Sequence, residues 1–173
     1  MANYMVIPTK TYSELASDEQ ITRTAQALEA QRIHTLIAET GEDAKRMFFE
    51  LVPEGSEVFV GASVTLEKLG IKDEINNSGR FDAVKPKMYA MDRQTQAREI
   101  RKLGGAPDVA VGSVQAVTEA GEVLIASSTG SQLGPYAAGA GQVIWVVGVQ
   151  KLVKDLNEGF QRHEPRTHGG LGQ

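Results

Sequence analysis

Two short segments rich in glycine and hydroxyl side chains have the composition of a ligand-binding loop. Their candidate residues are Gly61, Ser63, Thr65, Ser128, Thr129, Gly130 and Ser131. Each segment is expected to follow a strand and precede a helix, where hydroxyl groups and free backbone N–H groups can hold an anion. Serine and threonine are also common helix caps and turn residues. The two segments therefore predict an anion site, with capping and turn formation as the alternatives.

Glu119 is the candidate for covalent or acid–base chemistry. It lies within Val117–Glu122, a segment that is predicted to form a tight turn between two apolar runs. If the fold buried this carboxylate beside the Thr129 loop, it could act as a base or a nucleophile. A glutamate in a solvated turn would have no such role. The sequence leaves both interpretations open.

Several common classes of site are disfavoured by missing motifs. Neither Gly-Lys-Ser/Thr nor Gly-x-Gly-x-x-Gly occurs, which disfavours the usual nucleotide sites. The histidines, His34, His163 and His168, lack metal-ligand spacing. The chain has no cysteine, so it cannot hold an iron–sulfur cluster through thiolates. We predict no metal and no cofactor, and any redox centre would belong to a partner.

Composition indicates an ordinary globular protein. A chain of 173 residues fits one domain, which we expect over residues 1–162, followed by a disordered tail at 163–173. The net charge of −4 and the lack of a basic run argue against nucleic acid as a partner. No apolar run approaches the length of a membrane span, and the N-terminus does not resemble a signal peptide. We therefore expect no membrane association and a cytoplasmic location.

Segments with apolar residues at helical spacing alternate with short, nearly continuous apolar runs along the chain. The expected helices cover residues 17–31, 42–51, two short helices within 63–79, 92–105 and 150–162. The expected strands cover residues 33–38, 57–61, 84–89 as a sheet edge because of Pro86, 109–111, 123–126 and 143–147. This alternation predicts an α/β fold with a mostly parallel central sheet and helices on both faces. In such a fold, both hydroxyl-rich loops lie at the carboxyl edge of the sheet.

Three segments, residues 61–70, 106–121 and 143–156, resemble the LUD-domain (lactate utilisation protein C-like) family in order and spacing. The resemblance implies a fold similar to that of sugar-phosphate isomerases and coenzyme A transferases. It also implies a connection with bacterial lactate-oxidation systems that work with iron–sulfur proteins. The family's Asp-Gly-Thr-Gly-Asn-Arg-like loop corresponds to residues 127–132, where only Thr129 and Gly130 match.

The leading hypothesis is an accessory or regulatory subunit of lactate or organic-acid utilisation. It would bind a small anionic metabolite at the two loops, with iron–sulfur subunits as partners. The alternative is an acyl- or coenzyme A-transfer enzyme using Glu119, because the spacing of Glu119 and Gly121 is loosely similar to the glutamate-x-glycine of coenzyme A transferases. A third option is an assembly subunit with an unused pocket. The ligand, turnover and homo-oligomerisation are left open.

Overall fold

The computed structural model describes residues 15–163, except for the side chain of His163. The helices are α1 (Asp18–Ala30), α2 (Gly41–Leu51), α3 (Val64–Lys68), α4 (Ile71–Asn77), α5 (Val84–Ala90), α6 (Ala97–Gly105) and α7 (Leu156–His163). The strands are β1 (Glu57–Val60), β2 (Asp82–Ala83), β3 (Val109–Gly112), β4 (Ala116–Thr118), β5 (Val123–Leu124), β6 (Gln142–Trp145) and β7 (Leu152–Val153). A π-helical turn covers Pro135–Gly139, and a 3₁₀ turn covers Val149–Lys151. Apart from the backbone of His163, the tail predicted at 163–173 lies outside the described residues.

The chain forms two compact units. The larger unit, residues 36–114 and 125–147, contains a four-stranded parallel sheet in the order β2-β1-β3-β6. The described part of the smaller unit contains a three-stranded sheet in the order β5-β4-β7, in which β5 is antiparallel to β4. The predicted α/β class with a mostly parallel sheet is confirmed. The single domain expected over residues 1–162 stays a prediction.

Helices cover both faces of the parallel sheet. On one face, the β-branched residues of β1 and β3 pack against apolar side chains of α2, α3 and α4. This core contains Phe48, Val58, Val60, Leu66, Ile71, Ile75, Val109 and Val111. On the opposite face, Phe59 lies close to Gly104 of α6, and Met88 of α5 also contacts this glycine. Both faces are buried, which explains why β1 and β3 are nearly continuous apolar runs.

The strand order creates a switch point in the parallel sheet. The chain leaves β1 for β2 on one side of β1, whereas β3 lies on its other side and is followed in the sheet by β6. Open α/β sheets bind ligands outside the carboxyl ends of the strands where the order reverses. Here that position lies between the end of β1, at Val60, and the end of β3, at Gly112. We call it the switch point.

Residues 84–89, which were expected to form an edge strand, form helix α5 instead. Pro86 is the third residue of that helix, where a backbone N–H has no partner within the helix anyway. Val84 and Met88 are four residues apart and so share one side of the helix. Val84 is buried, and Met88 lies against Gly104. The proline therefore marks the start of a helix rather than the edge of a sheet.

The expectation that residues 123–126 belong to the parallel sheet is wrong. Val123 and Leu124 form β5 in the smaller unit, where they pair antiparallel with β4. The turn between these two strands is short, so a hairpin forms from neighbouring residues. An apolar run shows that a strand is favourable, but it does not show which strand will be its partner.

Two further elements differ from the expectation. Residues 33–38 form no helix or strand, and Leu36 and Ile37 are mostly exposed. Residues 150–155, which were assigned to the last helix, contain strand β7, and α7 begins only at Leu156. No helix among the described residues is long and apolar enough to cross a membrane.

Candidate functional site

The first hydroxyl-rich segment leads from β1 into α3. The Ser63 hydroxyl oxygen accepts a hydrogen bond from the Leu66 backbone N–H at 3.3 Å, so Ser63 caps the helix. Its own hydroxyl proton can still be donated to a ligand. Gly61 is buried at the end of β1, whereas Ser63 and Thr65 are half-buried. Helix capping is thus the observed role of Ser63 in this segment.

The second segment, residues 127–131, is a turn closed by its own side chains. The Thr129 hydroxyl donates to the Ser131 hydroxyl oxygen at 3.0 Å. The Gly130 backbone N–H donates to the Ser127 hydroxyl oxygen at 3.0 Å. Ser128 through Ser131 are exposed, so their donors are accessible to solvent and to a ligand.

Gln132 connects the second segment to the switch point. Its side-chain amide donates to the Ala126 carbonyl oxygen at 3.2 Å. Its side-chain oxygen lies 3.5 Å from the position that a Cβ atom on Gly61 would occupy. The structure therefore brings the residue after Ser131 to the end of β1, within the same unit as Ser63 and Thr65.

Tyr136 lies over the switch point, although the sequence did not indicate it as a site residue. Its hydroxyl donates to the Val111 carbonyl oxygen at 3.3 Å, and the same oxygen accepts the Gly61 backbone N–H at 2.7 Å. A Cβ atom on Gly61 would lie 2.6 Å from the tyrosine hydroxyl, and one on Gly112 would overlap it. Glycine at both strand ends leaves the space that this hydroxyl fills. A lone aromatic residue in a glycine-rich stretch was the available sequence clue.

Burial raises the pKa of the Tyr136 hydroxyl to about 12. The cause is desolvation, which disfavours the charged phenolate. At neutral pH, Tyr136 is therefore protonated and acts as a hydrogen-bond donor. The π-helical turn that carries it is a rare element that often occurs at functional sites.

Trp145 is the last residue of β6 and is in register with Gly112 of β3. Its ring lies nearly perpendicular to that of Tyr136, with the ring centroids 5.9 Å apart. The indole nitrogen Nε1 is buried and has no hydrogen-bond partner among the described residues. An apolar strand is most simply explained by packing, so the sequence gives no indication that Trp145 carries an unpaired donor.

The segments around the switch point carry no charged side chain. Residues 61–66, 109–114 and 125–147 contain no Asp, Glu, Lys, Arg or His, although 23% of the whole chain is Asp, Glu, Lys or Arg. The polar groups there are hydroxyl, amide, indole and backbone groups. These segments can therefore recognise oxygen atoms by neutral hydrogen bonds, and they supply no cation to balance a multiply charged ligand.

Glu119 lies in the smaller unit, whereas the two hydroxyl-rich segments lie in the larger one. Its carboxylate oxygen Oε2 is 3.0 Å from Nη2 of Arg23 and also accepts a hydrogen bond from Nε at 3.2 Å. The Glu119 backbone N–H donates to the Val153 carbonyl oxygen at 3.0 Å. These contacts describe a turn residue held by an ion pair.

The turn around Glu119 has structural requirements of its own. Gly121 has φ +86°, and a Cβ atom there would lie 3.0 Å from the Ala27 carbonyl oxygen. The Thr118 hydroxyl donates to a carboxylate oxygen of Glu122 at 2.6 Å, and the Gln31 amide donates to the Ala120 carbonyl oxygen at 2.8 Å. These contacts give Thr118 and Gly121 structural roles in the turn, and the catalytic role of Glu119 stays a prediction.

Comparison with protein-family models identifies a family for this chain. The family model of the LUD domain matches residues 21–170, which is most of the chain. The search of curated proteins finds no significant match. Within the described residues, no cluster of three or more His, Cys, Asp or Glu side chains lies close enough together to hold a metal ion.

Proposed function

Because the chain belongs to the LUD-domain family, we propose that it binds a small anionic metabolite at the carboxyl edge of its parallel sheet. In this proposal it is an accessory or regulatory subunit of lactate or related organic-acid utilisation. The proposed binding site combines the two hydroxyl-rich segments with the switch point.

The observation that carries this proposal is the convergence of Gly61, Gly112 and Tyr136 at the switch point. Ligands of open α/β sheets collect at this position, and the glycines let other groups approach the strand ends closely. Ser63 and the Thr129 turn add hydroxyl donors in the same unit. Neutral donors of this kind can hold an anion by hydrogen bonds.

The lack of cysteine ligands for an iron–sulfur cluster supports an accessory role. Oxidation of an organic acid needs an electron acceptor, and the chain has no cysteine with which to ligate an iron–sulfur cluster. We propose that iron–sulfur subunits are its partners, in the cytoplasm. Co-purification of tagged full-length chain with iron- and sulfide-containing subunits would support this partnership, and recovery of the chain alone from its native cells would count against it.

Calorimetric titration tests the binding proposal. Wild-type protein is titrated with lactate, inorganic phosphate and coenzyme A, and the same titrations are repeated with Thr129→Val. If Thr129 contacts the anion, losing its hydroxyl should weaken binding by about 1.5–3 kcal/mol, because hydrogen bonds to charged groups have that value. The melting temperature should hardly change, since Thr129 is exposed.

Thr22→Val is the matched control. Thr22 also has an exposed hydroxyl bonded within its own segment, where it donates to the Asp18 carbonyl oxygen, but it lies in α1. The control should bind lactate as the wild type does. If wild-type protein binds none of the three compounds, the proposed function is wrong. If Thr129→Val and the wild type bind equally, the Thr129 loop is only a turn.

A further inference from the structure

The Trp145 indole N–H is a hydrogen-bond donor without an acceptor in the described part of the chain. Buried donors are nearly always paired in native proteins, so each exception needs a physical explanation. Tyr136, the other aromatic residue at this edge, does have an acceptor, the Val111 carbonyl oxygen. The unpaired indole is therefore a specific feature of Trp145 rather than a general property of this edge.

The position of Trp145 connects this donor with the switch point. Trp145 and Gly112 are register partners on adjacent parallel strands, so their substituents project to the same face of the sheet. The substituent that Gly112 lacks would overlap the Tyr136 hydroxyl. Trp145 and the Tyr136 hydroxyl thus lie on one face of the sheet, at the carboxyl ends of β6 and β3.

We propose that the Trp145 N–H donates a hydrogen bond to an oxygen atom of the bound metabolite, and that the group it recognises is a single carboxylate rather than a phosphate. This inference rests on the proposed function and adds to it a recognition residue and a ligand class. Because Nε1 is shielded from solvent, binding requires a local rearrangement of the side chains around Trp145.

The choice of a carboxylate follows from the lack of charged side chains in the three segments that form the switch point. Phosphate groups in proteins are commonly bound by Arg or Lys through charge-assisted hydrogen bonds. The segments 61–66, 109–114 and 125–147 contain neither residue. A carboxylate carries one negative charge, which neutral N–H and O–H donors can stabilise by hydrogen bonds. The larger charge of a phosphate would be less well compensated by the same donors.

Fluorescence is a direct readout, because Trp145 is the single tryptophan of the chain. We expect titration of the full chain with lactate to change the tryptophan emission in a saturable way. Inorganic phosphate at the same ionic strength should leave the emission unchanged. If calorimetry detects lactate binding but the emission does not respond, the indole is not at the ligand and the inference is overturned.

Trp145→Phe removes the N–H and keeps an aromatic ring in the strand. Lactate affinity measured by calorimetry should fall about tenfold or more. Tyr89→Phe is the control, because Tyr89 is exposed and lies on α5. The control should keep the wild-type affinity. Melting curves of both variants establish that each is folded.

The outcomes separate this inference from the proposed function. If wild-type protein does not bind lactate, both fail. If the wild type binds lactate and a folded Trp145→Phe variant binds it equally well, only the role of Trp145 fails. If phosphate binds as tightly as lactate, the assignment of the ligand class fails.

Discussion

The Tyr136 hydroxyl oxygen occupies the space that a Cβ atom on Gly112 would need. Gly112 is the last residue of β3, and Tyr136 is the second residue of the π-helical turn. Their contact therefore joins a strand end to an element about two dozen residues later in the sequence. The same hydroxyl donates to the carbonyl oxygen of Val111, the residue before Gly112. Close packing and a hydrogen bond together hold Tyr136 at the switch point.

Gly112→Ala should therefore destabilise the protein. The added methyl group forces Tyr136 or the strand to move, and overpacking of a well-packed core typically costs about 1–3 kcal/mol. Urea denaturation measures the change in the free energy of unfolding. Gly134→Ala is the control, since nothing lies within 4 Å of its added Cβ atom. Equal stability of the two variants would show that Tyr136 does not occupy this position.

Gly121→Ala should cost more stability than Gly55→Ala. Both glycines have positive φ, +86° and +79°, so both substitutions carry the left-handed backbone penalty of about 1–2 kcal/mol. Only at Gly121 would the Cβ atom also press against α1, 3.0 Å from the Ala27 carbonyl oxygen. Urea denaturation of both variants gives the difference. An equal loss would mean that the turn does not pack against α1.

Tyr136 should make the protein less stable at high pH. Its pKa is about 12 in the folded state, above the ordinary value of 10.0. The unfolded chain ionises first, so stability that is fully present below pH 10 is lost as the pH rises toward 12. The free energy of unfolding of Tyr136→Phe should lack this part of the decrease with pH. Denaturation of both proteins across that range tests the prediction, and parallel stability profiles would contradict it.

Glu119→Gln should have a small effect. The ion pair with Arg23 is partly exposed, with 55% of the arginine and 26% of the glutamate side chain accessible. Exposed pairs contribute up to about 1 kcal/mol, and thermal melting should show a change of that size or less. The transferase alternative stays a prediction, and it requires loss of coenzyme A transfer in this variant. Arg23→Gln, which removes the same ion pair but no nucleophile, is the matched control for that assay.

The strands of the parallel sheet could largely be predicted from the sequence. The predicted strands at 57–61, 109–111 and 143–147 correspond to β1, β3 and β6, because β-branched runs buried on both faces carry a strong local pattern. The sequence pattern failed at α5, where Pro86 suits the first turn of a helix as well as a sheet edge. It also failed to identify the partner of β5, because the pairing of β5 with β4 is not encoded in the apolar run itself.

The candidate site was only partly accessible to sequence reasoning. Gly61 and Ser63 could be placed beside a strand end from local sequence, because a strand, a small-residue loop and a helix follow each other there. Tyr136 and Trp145 could not be placed in the same way. Their role depends on the register of β6 with β3 and on the turn that brings Tyr136 to Gly112, which are contacts between distant segments.

The central claim is that the switch point binds a small carboxylate. Backbone amide NMR spectra of the labelled full chain, recorded during titration with lactate, test it most directly. We predict saturable shifts at Gly61, Gly112, Thr129 and the Trp145 indole N–H, with little change at Glu119. If the largest shifts cluster around Glu119, or if lactate causes no shift at any of these groups, the claim is contradicted.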